Sequence, residues 1–355
     1  MILNLYLIKE ILQAFIATLL VLMLIIVGNT VARLLGNVSD GQLPADALGV
    51  LVFIGSVKGA IQLAPIALLI GMMLAFGRFY RDNEVSSMHA SGIGPGQFFK
   101  AIFLLLTPLT LILATLVLYL LPLLETSRQE ITAEIKQRPE ASGIPVGEFM
   151  HAQSGGRKFT IFVESLDEKN VVMANFFLHM EDPSAKRAML ASKAVLYIDQ
   201  KSGDRVLQIT DGSRYDQSKS DDSFTIFKFS EHGIRVPPLN TNVNERMGAK
   251  PSLSLLGSDD VKDTAELHWR LGVILSAPVM ALLAFPLSYT TPRQGRFGKL
   301  AIGILLYALY ANLLITGKSM LEDEKIPSII GLWWVHIPFM LLSLWLVWRR
   351  YGGLR

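Results

Sequence analysis

The chain has 355 residues, 51% of them hydrophobic, a formal charge of +3 and no cysteine, with a mean hydropathy of +0.41. That apolar fraction exceeds what a soluble globular chain carries, and the small charge on scattered basic residues excludes a nucleic-acid footprint. The lack of cysteine excludes both a disulfide framework and a thiolate metal site.

In chain order, six stretches with few or no charges are long enough to cross a bilayer core of about 30 Å: 14–35, 50–77, 101–123, 269–290, 298–317 and 330–348. The first is read as a retained anchor, because Arg33-Leu34-Leu35 does not resemble a small-residue cleavage site. Most acidic residues fall between about Glu125 and Glu266, a break in composition that predicts a soluble domain inserted between two membrane blocks. The organisation expected is therefore 1–123, an inserted domain over 124–268, and 269–355, an α-helical polytopic membrane protein of three plus three spans. Gly55, Gly59, Ala60 and Gly71 in the second span permit close helix approach, and Pro65 weakens that helix locally.

The connections set the orientation. Arg78, Arg81 and Lys100 lie between spans two and three, Arg293, Arg296 and Lys299 between four and five, and Arg349, Arg350 and Arg355 in the tail. Because Lys and Arg are retained on the cytoplasmic side, both termini are expected inside and the inserted domain outside. Within the first of these connections, a short helix over about 81–92 is predicted, capped by Asp82 and ended near Gly92, with Glu84, Met88 and Ser91 along one face. Such a helix offers a carboxylate and a soft apolar knob to a partner's cleft; the alternative is an ordinary solvated loop helix.

In the inserted domain, Phe159–Val163, Val171–Leu178, Ala194–Ile198, Arg205–Ile209 and Phe224–Phe229 are rich in β-branched and aromatic residues. Gly155-Gly156, Ser202-Gly203-Asp204 and Asp211-Gly212-Ser213 read as turns between them. Short strands at this spacing predict an all-β sandwich, barrel or jelly roll. Its exposed edges are suited either to strand addition by a partner or to a spacer role.

Four cations mark the expected outer ends of the spans: Arg33, Lys58, Arg270 and Lys318. Around a common cavity they would bind the phosphates of an amphiphile; singly, each reads as a snorkelling anchor. No G-x-x-x-x-G-K-[ST], H-E-x-x-H or G-x-S-x-G occurs, and the six histidines have no ligand spacing, so no catalytic or metal residue is assigned.

Three motifs add a resemblance: Tyr6-Leu7-Ile8-Lys9-Glu10, the segment Glu84 to Gly92 with Met88-His89-Ala90, and Glu266-Leu267-His268-Trp269-Arg270 followed by Pro292-Arg293-Gln294-Gly295-Arg296. In their order and separation the chain resembles the LptF/LptG family of lipopolysaccharide export permeases, and its LptF branch most. The resemblance implies a heterodimer with an LptG-like permease, two LptB-like ATPase subunits, and a β-jellyroll passing lipopolysaccharide to an LptC-like bitopic protein and a periplasmic bridge. It implies an ATPase-coupling role for Glu84, to which Met88 and His89 of the same segment are added as coupling candidates, and an anion-binding role for Arg33 and Lys318. No cofactor is expected on this chain, since ATP and magnesium would be used by the partner ATPase. Two rivals remain at this point: a non-transporting envelope scaffold or sensor, and a membrane hydrolase with an unrecognised nucleophile.

Overall fold

The computed structural model describes residues 2–39, 43–137, 146–154, 157–167, 172–181, 185–198, 205–218, 224–236, 247–289 and 296–351. These form two compact units, one of residues 1–30, 53–129 and 242–355 and the other of residues 31–52 and 130–241.

The first unit is helical. The described helices, which lie in this unit except for residues 31–39, 48–52 and 130–137, are α1 (Ile2–Ser39), α2 (Leu48–Arg81), α3 (Glu84–Ala90), α4 (Pro95–Thr115), α5 (Leu121–Gln137), α6 (Val261–Leu287), α7 (Arg296–Glu322) and α8 (Trp333–Tyr351). Among the described residues, five helical stretches are long and apolar enough to cross a membrane: α1, α2, α4 through α5, α6 and α7. The sixth predicted span corresponds to α8, whose hydropathy is lowered by Trp333, Trp334, His336, Pro338 and Arg349-Arg350. α6 packs against α4, α7 and α8, and the rings of Phe76, Phe79, Phe98 and Phe285 form an aromatic centre, with Phe76 4.9 Å from Phe285.

α1 and α2 meet along a glycine seam. A Cβ on Gly55 would meet Thr30, one on Gly59 would meet Ile26 at 2.7 Å, and one on Gly71 would meet the backbone of Phe15 at 2.7 Å. The paired numbers fall on one side as they rise on the other, so the helices run antiparallel with their backbones in near contact, the geometry that small residues permit.

Between α4 and α5 the chain makes one π-turn over Leu116–Leu120, the Leu121 N–H reaching back to Leu116 O. Pro122, which follows, has no N–H to offer the carbonyl of Leu118. Ser252 supplies the missing donor, its hydroxyl 2.6 Å from Leu118 O.

The second unit is built on one antiparallel sheet: β1 (Phe149–Ser154), β2 (Arg157–Leu166), β3 (Val172–Glu181), β4 (Ala185–Ile198), β5 (Arg205–Ser218) and β6 (Phe224–Val236). The strands pair in sequential order. Two features differ from the sequence expectation: β4 and β5 are each 14 residues long, and Asp211-Gly212-Ser213 lies within β5 instead of forming a turn. The other expected turns, Gly155-Gly156 and Ser202-Gly203-Asp204, fall outside the described residues.

Asp211 marks a crease across the sheet. Val163 pairs with Phe176 and Ser165 with Ala174, but the intervening Glu164 and Asn175 do not pair. The same gap recurs at 175/192, 192/211 and 211/230 with the register unchanged on either side. Asn175 and Asp211 have φ of 47° and 53°, a left-handed conformation that Asn and Asp tolerate better than other side chains. The Asn175 amide donates to Glu164, and the Ser192 hydroxyl to the Asp211 carbonyl at 3.4 Å. Burial changes phase at this line: Met173 and Phe176 are both buried, as are Ala191 and Ala194. A spacing of three would place such residues on opposite faces of a flat strand. Next to the crease Gly212 is obligatory, because the Phe229 ring and Leu190 O occupy the space of its Cβ.

Candidate functional site

Both ends of the helical unit carry the residues singled out by sequence. At the first end, α3 starts after a left-handed corner at Asn83, φ 58°. Asp82 does not cap it; its carboxylate accepts from Arg81 Nε at 2.9 Å, a bond that holds its pKa below the ordinary carboxylate value. The helix stops in a Schellman arrangement, with Ile93 N–H donating to Met88 O, Gly92 N–H to His89 O, and φ of 84° at Gly92.

The face expected to project from α3 is partly turned inward. Val85 is buried, Met88 packs against the helical core, and Glu84 accepts a hydrogen bond of 2.8 Å from the Tyr6 hydroxyl of α1. Ser86, Ser87, His89, Ala90 and Ser91 are exposed. His89 Nδ1 lies 2.9 Å from Ile93 O and its ring packs edge-on against Phe98. Beside this contact, Arg78 Nη2 is 2.7 Å from Glu10 and 3.5 Å from the Tyr6 hydroxyl.

At the other end, two buried carboxylates organise the cations. Glu125, 5% exposed, pairs with Arg128 at 2.6 Å and with Lys58 at 3.4 Å. Glu266, 7% exposed, pairs with Arg270 at 3.1 Å and with Lys318 at 2.7 Å, while the Lys318 ammonium lies 5.4 Å over the Trp269 ring.

Arg270 is not a snorkelling or lipid-facing cation. It is 1% exposed, and each of its five N–H groups has an acceptor: Nε on Glu266, Nη1 on Lys250 O and Ser252 Oγ, Nη2 on Met247 O and Gly248 O. The segment from Met247 to Ser252 is thereby pinned to α6, and Gly248 also abuts Glu125. Lys58, Arg270 and Lys318 thus belong to one linked network. It joins four cations to three carboxylates, since Lys318 also lies 3.8 Å from Glu322, and it leaves the Lys58 and Lys318 side chains 42% and 26% exposed. Arg33 lies on the exposed side of α1 in the other unit, with no ion pair among the described residues.

Next to Lys58, a cavity of about 480 Å³ opens between α1, α2 and α4, lined by Phe15, Met23, Phe53, Val57, Leu113 and Leu116 among others. Ser56 is its one polar side chain among the lining residues. An apolar chamber beside a part-exposed ammonium suits an amphiphile with an anionic head.

Sequence reasoning missed the acids. A lysine amid apolar residues calls for a carboxylate partner, and Glu125, at the end of the third apolar stretch, was the available signal; Glu266 and Arg270 stand at i, i+4 in a motif already noted.

A family model for the lipopolysaccharide export system permease LptF/LptG matches residues 5–349. The chain belongs to this family. The lipopolysaccharide export system permease protein LptF of Escherichia coli K12 is 27% identical over 345 residues, covering 96% of this chain and 92% of the relative. The proteins of the same name from E. coli O157:H7 and Shigella flexneri match to the same extent. As a member of the LptF/LptG family, the chain is a lipopolysaccharide export permease with membrane-spanning helices, and both networks lie within the matched region.

Proposed function

We propose that this permease is one half of an ATP-driven exporter that takes lipopolysaccharide from the outer leaflet of the inner membrane and passes it to a periplasmic bridge. The observation that carries the reading is the part-exposed ammonium of Lys58 next to an apolar cavity, with a second part-exposed ammonium, Lys318, in the same network. Lipid A phosphates would compete with Glu125 and Glu266 for these two ammonium groups while acyl chains occupy the apolar space. Arg33 belongs to the same reading as a further cation on the lipid's route, whereas Arg270 holds the scaffold.

At the opposite end, α3 docks on a separate ATPase, with His89 and Ser86 on its exposed face and Glu84 at its first turn. ATP and magnesium act on that partner. An LptG-like chain completes the permease, two LptB-like subunits drive it, and an LptC-like protein receives the lipid at an edge of the β-sheet, folded over its crease in a jellyroll-like manner. α8 is the sixth span in this reading: at 19 residues it is about 28 Å long, and tryptophans stand near both of its ends, as at membrane interfaces. Both termini are then cytoplasmic and the β-domain is periplasmic, on the bias of Lys and Arg among the connections.

Photo-crosslinking from Arg33 and Lys58 to lipopolysaccharide in membranes, with and without ATP, tests the reading. ATP-sensitive adducts are expected. Their absence from both positions in an assembled complex would reduce these residues to anchors and remove the transport path proposed here.

A further inference from the structure

The motif Tyr6 to Glu10 lies apart from the lipid path proposed above, and its two polar ends form a joint. Tyr6 and Glu10 share a face of α1 at i, i+4. Tyr6 donates to Glu84 at 2.8 Å, and Glu10 accepts from Arg78 at 2.7 Å. Three helices therefore meet in four side chains: the first turns of α1, the last turn of α2 and the first turn of α3.

The covalent link between α2 and α3 is only Asp82 and Asn83, and the left-handed Asn83 makes it a sharp corner. At such a corner a seven-residue helix can swivel unless a second tie holds it. Tyr6 provides that tie on the very carboxylate at the start of α3, and its ring packs 5.7 Å from Phe79. Behind it, the glycine seam joins α1 to α2 along Phe15, Ile26 and Thr30. A push on α3 would thus be delivered to two spans moving together.

The joint also differs from the Arg270 clamp. Arg78 keeps its Nε without an acceptor among the described residues, and its contact with Tyr6 is 3.5 Å. A joint with a spare donor can exchange partners during a cycle; a saturated arginine cannot do so without losing bonds.

We propose that Tyr6 is a positioning residue that ties the Glu84 helix to the first two spans, so that a moving ATPase displaces the span pair instead of swivelling α3 about the Asp82–Asn83 corner. This rests on the reading of α3 and Glu84 as the ATPase dock.

The test uses the full complex of this chain, its permease partner and the ATPase in proteoliposomes, scoring ATPase retention, ATP hydrolysis and lipopolysaccharide released per ATP. Tyr6→Phe removes one hydroxyl and leaves the Glu84 charge. It is expected to retain the ATPase and hydrolyse ATP within about twofold of the parent, while lipid released per ATP falls about tenfold, the scale of losing a hydrogen bond to a charged group. Glu84→Gln keeps an acceptor for Tyr6 but discards the charge, and is expected to release the ATPase.

Unchanged lipid per ATP in Tyr6→Phe, with the ATPase lost in Glu84→Gln, overturns the positioning role alone. An ATPase retained by Glu84→Gln overturns the docking reading and the proposal with it. If Tyr6→Phe fails to assemble, the charge swap decides: Glu10→Arg and Arg78→Glu should each lower lipid per ATP, and the double variant should restore it. No recovery in the double variant also overturns the proposal.

Discussion

Arg270 and Lys58 show how two cations of equal formal charge come to do different work. The guanidinium is planar and carries five donors in a fixed fork, so a single side chain can hold one carboxylate and four further oxygens together. Arg270 does this in near-complete burial, joining Glu266 on α6 to the carbonyls of Met247, Gly248 and Lys250. Lysine has three donors on one atom and cannot span that set. Arg270→Lys should therefore behave as a broken pair, costing about 3 kcal/mol or more; the check is a lowered thermal midpoint in detergent, with new protease cleavage between Met247 and Leu256. A variant that melts with the parent would show the clamp to be dispensable. Lys58, at 3.4 Å from Glu125 and 42% exposed, gives up little when it changes partner, since a part-exposed pair contributes only about 0–1 kcal/mol.

At the scale of elements, the helices were legible in the sequence and the strands only in part. Long apolar runs with charged flanks leave few choices for a helix, and the main discrepancies lie at ends. α6 begins at Val261 and α5 extends to Gln137, because Asp263, Glu266, Glu125 and Arg128 face protein partners and so look polar to a search for bilayer length. The strands were harder. β5 was split at Asp211-Gly212-Ser213 because those residue types favour turns, and there they serve a crease with an αL residue at 211 and a missing side chain at 212.

A period-two reading fails wherever burial changes phase, as between Met173 and Phe176. The α3 face was misjudged for a related reason: helical spacing grouped Glu84 with Met88 correctly, but no local pattern reveals that Tyr6, 78 residues away, claims the carboxylate. Asp211→Val should destabilise the β-domain by about 1–3 kcal/mol, since a β-branched residue is strained at φ of 53°. Asp211→Gly should be close to neutral. Chemical denaturation followed by a β-domain probe distinguishes them, and equal loss in both would point to the carboxylate instead of the backbone.

For the whole molecule, the two networks stand at opposite ends of α2, with Lys58 near its start and Arg78 near its finish, 20 residues and about 30 Å of helix apart. That separation matches the hydrocarbon core of a bilayer. The chain has no cysteine, so single replacements report sidedness without background. A cysteine at the exposed Ser86 should react with a membrane-impermeant thiol reagent only from the cytoplasmic face, and one at the exposed Ser254 only from the periplasmic face. Labelling of both from the same side would contradict the orientation given to this permease.

The sheet crease carries a consequence for how the β-domain can vary in length. Loops between strands can gain or lose residues without altering any pairing. At 164, 175, 192, 211 and 230 the situation is reversed: deleting one residue there would slip half a strand by one position, turning its inward residues out while its neighbours stayed in place. A repair would need matching deletions in adjacent strands at once. Positions far apart in the chain are thereby bound into a single hereditary unit, in which insertions and deletions are forbidden although substitutions among Asn, Asp, Ser and Gly remain open.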